Sequence, residues 1–226
     1  MDTETKRKLV HVGNGLWTFA LPFLPRIIAI FLVLVAFVFV FLLSRPKSPF
    51  GSVFQGTFAM MARHKDVEKQ FLFGPSLYVV MVLLLVLFVD YRIAGAVFVI
   101  LAFGDGFATI VGRRIGNHKL ACGKSVEGSL AFFLTALPFG TIVFTLIDIF
   151  NTPEAGGSIV PLMLLLPPDL LSTLGIGVIG LIFSAVALIL TFTELYLAKF
   201  LDDNVLIPVL GSALLFSLFS ITLAVL

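Results

Sequence analysis

The run RIIAIFLVLVAFVFVFLL, residues 26 to 43, carries a single charge, Arg26, at its start. A helix of about 17–25 such residues crosses the roughly 30 Å hydrocarbon core of a bilayer. The run LYVVMVLLLVLFV (77 to 89) approaches that length, and further apolar stretches follow to the C-terminus. Charged residues make up only 12% of the 226, and mean hydropathy is +1.13. A soluble domain carries about 25% charged residues. Most of this surface therefore faces lipid, and the pattern predicts an all-α polytopic membrane protein with a single integral membrane domain over residues 1–226.

Seven membrane helices are expected, near 8–24, 26–44, 75–91, 93–112, 127–149, 172–198 and 204–226. The first is short and glycine-rich. No cleavable-signal pattern precedes it, because a polar start runs into a segment containing Pro22 and Pro25. With the N-terminus cytoplasmic, 13 of the 15 Lys and Arg fall inside and only Arg26 and Arg92 outside, as the positive-inside rule favours. Two cytoplasmic loops then result, near 45–74 and 113–126. The first, containing GSVFQGTFAMMARHKDVEKQF, has the mixture of a surface amphipathic helix or a solvated connector. The stretch 151–169 reads as an external interfacial or re-entrant segment. The single cysteine, Cys122, excludes an intrachain disulfide and a thiolate metal cluster.

Polar residues inside such helices need a purpose, since a mid-helix carboxylate costs about 2.5–3.5 kcal/mol on insertion scales. Asp105, in ILAFGDGFATIVGRRIG, is one. At helical spacing Asp105, Thr109 and Arg113 form a polar stripe beside a small-residue stripe of Gly104, Ala108, Gly112 and Gly116. The small stripe reads first as a close-packing surface. The polar one reads as an Asp105–Arg113 pair or as a wall along which a charged ligand approaches.

Arg113, Arg114, His118, Lys119 and Lys124 follow, either as a positive-inside flank or as part of an anion site. The sequel GKSVEGS (123 to 129) resembles the end of a phosphate-binding loop, but the soluble form needs four residues between its glycines. Gly116 and Gly123 are separated by six, with no strand in front. Ser125 is placed to cap the next helix, whose free N–H groups would point at an anion, and Glu127 favours its first turn. Further on, TELYLAKFLDDNVLIPVLGS aligns Glu194, Ala198 and Asp202 on one face of a continuing helix, with Asp203 and Asn204 at the mouth of the last span. Carboxylates beside a polyphosphate site suggest Mg²⁺; an acidic capping turn is the plainer reading. Near the N-terminus, Lys8 and His11 lie one turn apart.

The blocks GDGFATIVGRRIG, GKSVEGS, LDDNVLIPVLGS and RKLVHVGNGLW, in that order, together with EKQFLFGPSLYVV, resemble the CTP-dependent polyprenol kinases, the dolichol kinase and phytol kinase group. The short chain and double Asp bring it closer to the phytol kinase branch. The resemblance implies a nucleotide site for CTP at Asp105, Gly106, Ala108, Gly112, Arg113, Gly116, Lys124, Ser125, Glu127, Gly128 and Ser129, and Thr109 and Arg114 beside them are further expected nucleotide contacts. It also implies phosphorylation of a long isoprenoid alcohol with release of CDP and a divalent metal. Given that reaction, Asp105, Asp202, Asp203 and Lys124 are the expected catalytic groups. Asp105, Asp202, Asp203 and Glu194 are the expected metal ligands, and Lys8, His11 and Asn204 are further candidates. A CDP-lipid-forming cytidylyltransferase is the alternative, with a transporter using Asp105 and Glu194 as ion sites, or an inert lipid-binding scaffold, behind it. The expected setting is a prokaryotic plasma membrane with the site on its cytoplasmic side. The partners are then nucleotide, lipid alcohol and bilayer, with no nucleic acid.

Overall fold

The computed structural model describes residues 3–43, 62, 66, 71–120, 122–151, 165–197 and 201–226. Among these the secondary structure is helical, with no strand. The helices are α1 (Thr3–Gly15), α2 (Arg26–Leu43), α3 (Phe73–Phe88), α4 (Tyr91–Val99), α5 (Gly106–Arg114), α6 (Val126–Phe150), α7 (Leu170–Tyr196) and α8 (Asp203–Val225). A wide π turn over Ile100–Asp105 joins α4 to α5, so Tyr91–Arg114 is one continuous rod. This rod, α6, α7 and α8 are four helices long and apolar enough to cross a membrane; α2 and α3 are apolar but shorter. Most of the expected amphipathic segment, and residues 152–164 of the expected external segment, lie outside the described residues.

The rod is the centre of the bundle. In its most apolar window 78% is buried, against 28–39% for the other three. Its inner partners are aromatic: Phe144 of α6 stacks on Phe219 of α8 at 4.8 Å and 4°, with Phe183 of α7 edge-on to Phe144 at 5.5 Å. Side chains such as Phe31, Phe39, Leu134, Leu181 and Ile221 point outward, as a lipid-facing surface requires.

The expected first span, 8–24, is not one helix. α1 stops at Gly15 and the chain continues through two 3₁₀ turns, Leu16–Phe19 and Leu21–Phe23. Pro22 and Pro25 cannot extend an α-helix from within it, and Gly15 is pressed against the Phe103 ring, where an added Cβ would lie 2.6 Å away. The segment still follows the rod along its length: Lys8 meets Asp105, and the Tyr91 hydroxyl donates to the Leu21 and Leu24 carbonyls. α7 kinks at Gly175 (φ 73°). It ends at Tyr196, so Glu194 and Asp202 do not share a continuing helix; Asp202, with extended backbone, starts α8 instead.

The small-residue stripe packs as expected. Gly104 faces Phe132, and Gly112 faces Ser125 and Gly128, while a Cβ on Gly128 would sit 2.9 Å from the Ala108 carbonyl oxygen. α5 and α6 thereby run in near backbone contact.

At the end of the bundle formed by Tyr91, Phe150 and Leu170, ionic groups that the sequence placed outside are buried. Arg92 donates to Asp90 (2.8 and 2.9 Å), to Asp148 (2.6 Å) and to the Leu166 carbonyl (3.0 Å), and lies 5.8 Å over the Phe144 ring. The carboxylates also accept from the Leu166 and Leu171 amides. Arg26 closes the C-terminal end of α3 through the Val86 and Val89 carbonyls, at 2.9 and 2.6 Å. Removing one member of such a network strands buried charge, at a cost of about 3–5 kcal/mol. Arg92→Met is therefore expected to lower the melting temperature in detergent sharply. The control Lys6→Met, at an exposed position, should change stability by less than about 0.5 kcal/mol. Equal melting of the two variants would deny the network a structural role.

Candidate functional site

At the opposite end of the bundle two clefts share one wall. The larger, about 850 Å³ including the part open to solvent, lies between α1, α5, the loop before α6, α6 itself and the facing ends of α7 and α8. The smaller lies between α1, α3 and α8. Arg7, Lys8, Asp105 and Asp203 line both.

The wall is built around Asp105. The π turn delivers it at the start of α5, and wide turns of this kind recur at functional sites. Its carboxylate is buried and paired with Lys8, not with Arg113. His11 Nε2 is 3.8 Å from the same oxygen. Thr109, one turn on, turns its hydroxyl back to the Asp105 carbonyl (3.0 Å). Arg7 is held by Glu4 of its own turn. Asp105, Thr109 and Arg113 all line the larger cleft, so the polar stripe expected from helical spacing is present.

The loop from α5 to α6 supplies the basic side. Leu120 bonds the Lys124 carbonyl, and Gly123 bonds Leu120, both at 2.8 Å. Gly123 sits at φ 84°, a conformation open to glycine at little cost. This tight turn sends Lys124 across to α7, where its ammonium meets both the Glu194 carboxylate and the Glu194 carbonyl at 2.5 Å. Ser125 caps α6 by accepting from the Gly128 amide (3.2 Å).

Two of the amides expected to be free at this helix start are already bonded. The Val126 N–H is taken by the His118 carbonyl (3.0 Å) and the Gly128 N–H by Ser125. The helix start still turns its positive end to the cleft through Ser125, Gly128 and Ser129. An anion there would be held chiefly by side chains, with Arg113, Lys119 and Lys124 nearest.

Several expected ligands have other work. Glu127 does not line the cleft; it accepts from the Asn117 and His118 amides and from the His118 ring (2.7 Å), pinning the loop. Gly106 is packed against Val12 and Gly116 against Ser125. Arg114 is exposed and does not line the cleft. Asp202 is the N-cap of α8, accepting from the Asn204 backbone (3.0 Å) and side-chain amide (2.8 Å). It lines only the smaller cleft. Asp203 is the member of the pair with reach into both, and its Oδ1 is buried without a hydrogen-bond partner among the described residues.

No three-residue metal-ligand cluster occurs among the described residues. Mg²⁺ on a nucleotide needs only one or two carboxylates, the remainder coming from phosphate oxygens and water. Asp105, Glu194 and Asp203 all line the larger cleft, and the orphaned Asp203 Oδ1 lacks an interaction that a cation or proton would provide. The residues present fit such an ion; Asp202 gives its Oδ1 to the cap of α8.

Sequence reasoning missed Arg7, which lies in a polar first helix, and Tyr78, hidden in an apolar run. Tyr78 packs its ring on His11 with centroids 4.6 Å apart.

No protein-family model matches the chain, and no solved structure does. It is similar to an uncharacterized protein of Rickettsia prowazekii (strain Madrid E), at 28% identity over 147 residues, covering 63% of this chain and 72% of that one.

Proposed function

We propose that the chain is a CTP-dependent kinase of a long-chain isoprenoid alcohol, working on the cytoplasmic face of a prokaryotic plasma membrane. In this reading the chain crosses the membrane seven times from a cytoplasmic N-terminus, the broken segment after α1 being the irregular crossing. The positive-inside count supports the orientation, and the relative from Rickettsia agrees with the setting.

The observation that carries the proposal is convergence. Cations and carboxylates from α1, α5, the α6 loop, α7 and α8 meet in one cleft, which abuts a second across the Lys8–Asp105 pair. Phosphoryl transfer asks for this combination, because it needs alignment and charge neutralisation more than covalent chemistry. Arg113, Lys119 and Lys124 would bind the triphosphate at the positive end of α6. Asp105 and Glu194 would hold Mg²⁺, exchanging their lysine partners for it. The ion, when bound, would offset the charge of the β- and γ-phosphates. Lys8 and Lys124, released toward the phosphates, would keep the cleft electrostatically receptive.

The alcohol oxygen bonds to the γ-phosphorus as the bond from that phosphorus to the β–γ bridging oxygen breaks. The alcohol proton passes to Asp203 Oδ1, and CDP leaves. Transfer of label from γ-labelled CTP to geranylgeraniol by purified protein with Mg²⁺ is expected, with Asp105→Asn at least ~100-fold slower. No lipid label with any isoprenoid alcohol, together with pyrophosphate release from CTP and a lipid phosphate, would replace the kinase by a cytidylyltransferase.

A further inference from the structure

Four buried side-chain polar atoms lack a hydrogen-bond partner among the described residues: His11 Nε2, Tyr78 Oη, Asp203 Oδ1 and Thr145 Oγ1. Three of the four belong to residues lining the smaller cleft. Buried polar groups in proteins are nearly always satisfied, so each exception needs an explanation. The concentration of three in one cavity points to a ligand that completes them. Tyr78 is the firmest of these, being 6% exposed, with its ring wedged between His11 (4.6 Å) and Phe98 (5.5 Å). Its hydroxyl cannot turn to bulk water without leaving that stack.

The three atoms also differ in what they ask for. A tyrosine hydroxyl donates one hydrogen bond, while a carboxylate oxygen accepts and donates none when ionised. The Nε2 of a neutral imidazole can likewise carry a lone pair and accept. A single alcohol group answers such a set: its oxygen accepts from Tyr78, and its hydrogen is offered to Asp203 or His11. A fully ionised phosphate offers acceptor oxygens only, and so gives neither Asp203 nor His11 a donor. The remaining wall is apolar, formed by Val40 of α2 with Pro75 and Val79 of α3. α2 itself carries an outward apolar face including Phe31, Val35, Val38 and Phe39.

We propose that the smaller cleft is the hydroxyl end of the acceptor site, where Tyr78, His11 and Asp203 bind the head of a lipid alcohol whose hydrocarbon leaves past Val40, Pro75 and Val79. The inference rests on the kinase reading. It assigns the two substrates to opposite sides of the Lys8–Asp105 wall, with the alcohol entering from the α2–α3 side and the nucleotide from the α5–α6 side. Tyr78 and His11 become specificity residues for a hydroxyl, and Asp203, reaching into both clefts, is the group placed to take its proton.

Two measurements test this together. Tyr78→Phe keeps the ring stack and deletes only the hydroxyl. It should raise KM for geranylgeraniol roughly 3- to 10-fold, the effect of one lost hydrogen bond, with KM for CTP unchanged. Separately, wild-type protein is irradiated with a diazirine-bearing isoprenoid alcohol and digested. Label is expected on peptides carrying Val40 or residues 75–79, displaced by geranylgeraniol and not by CTP. A rise in KM for CTP alone, no change in either KM, or label confined to α6 and α7 would overturn the assignment. Should no alcohol be phosphorylated at all, the kinase reading fails by itself, and the labelled positions still decide whether this cleft takes a lipid alcohol.

Discussion

A carboxylate inside an apolar helix must be matched, and the match for Asp105 comes from Lys8, 97 residues upstream. The free-energy cost of leaving either charge buried and alone runs to several kcal/mol. α1 is therefore tied to the rod at the point where the π turn opens. The close approach needs bare backbone, and Gly15 and Gly106 provide it beneath Phe103 and Val12. Once α1 is seated, its Lys8 and Arg7 form the partition between two clefts, and the ends of α7 and α8 close them with Glu194 and Asp203. Architecture and site thus meet at one ion pair.

The two ends of the bundle handle buried charge in opposite ways. Where Arg92 meets Asp90 and Asp148, each charged group is bonded on several sides, including backbone amides and carbonyls. Such completeness describes a structural clamp holding the starts of α4 and α7 against the end of α6. At the other end, the pairs Lys8–Asp105 and Lys124–Glu194 stand beside groups with unmet hydrogen-bonding capacity at His11, Tyr78 and Asp203. Among the described residues the clamp end leaves one buried side-chain atom unmet, Thr145 Oγ1, and the other end leaves three. That asymmetry supports reading the second end as a binding site.

Much of this was legible in the chain. The apolar runs located α6, α7 and α8, the serine in GKSVEGS announced a helix cap, and the stripe of Gly104, Ala108, Gly112 and Gly116 signalled close helix packing. The polar stripe of Asp105, Thr109 and Arg113 did line a cleft. Other features turn on long-range contacts that a local pattern does not carry. Whether Asp105 pairs with Arg113 or Lys8 depends on where α1 lies, and helical spacing favours the nearer candidate. In the Asp-Asp-Asn run a cap and a ligand look alike, and the extended backbone of Asp202 shows the cap. Glu127 bonds a loop that folds back on it, a contact that helical spacing does not carry. Tyr78 carries no sequence signal, being one aromatic residue in an apolar helix. The π turn at Ile100–Asp105 is likewise invisible in a run that satisfies ordinary helical periodicity.

The central claim is that the larger cleft receives a polyphosphate at the basic end of α6, and equilibrium binding tests it without turnover. CTP and cytidine would each be titrated into purified protein with Mg²⁺, alongside the Lys124→Ala variant. The account predicts saturable binding of CTP, at least ~10-fold weaker binding of cytidine, and a clear loss of CTP affinity in the variant, as expected when charge-assisted phosphate contacts dominate. Equal binding of cytidine and CTP, or CTP affinity indifferent to Lys124, would contradict it.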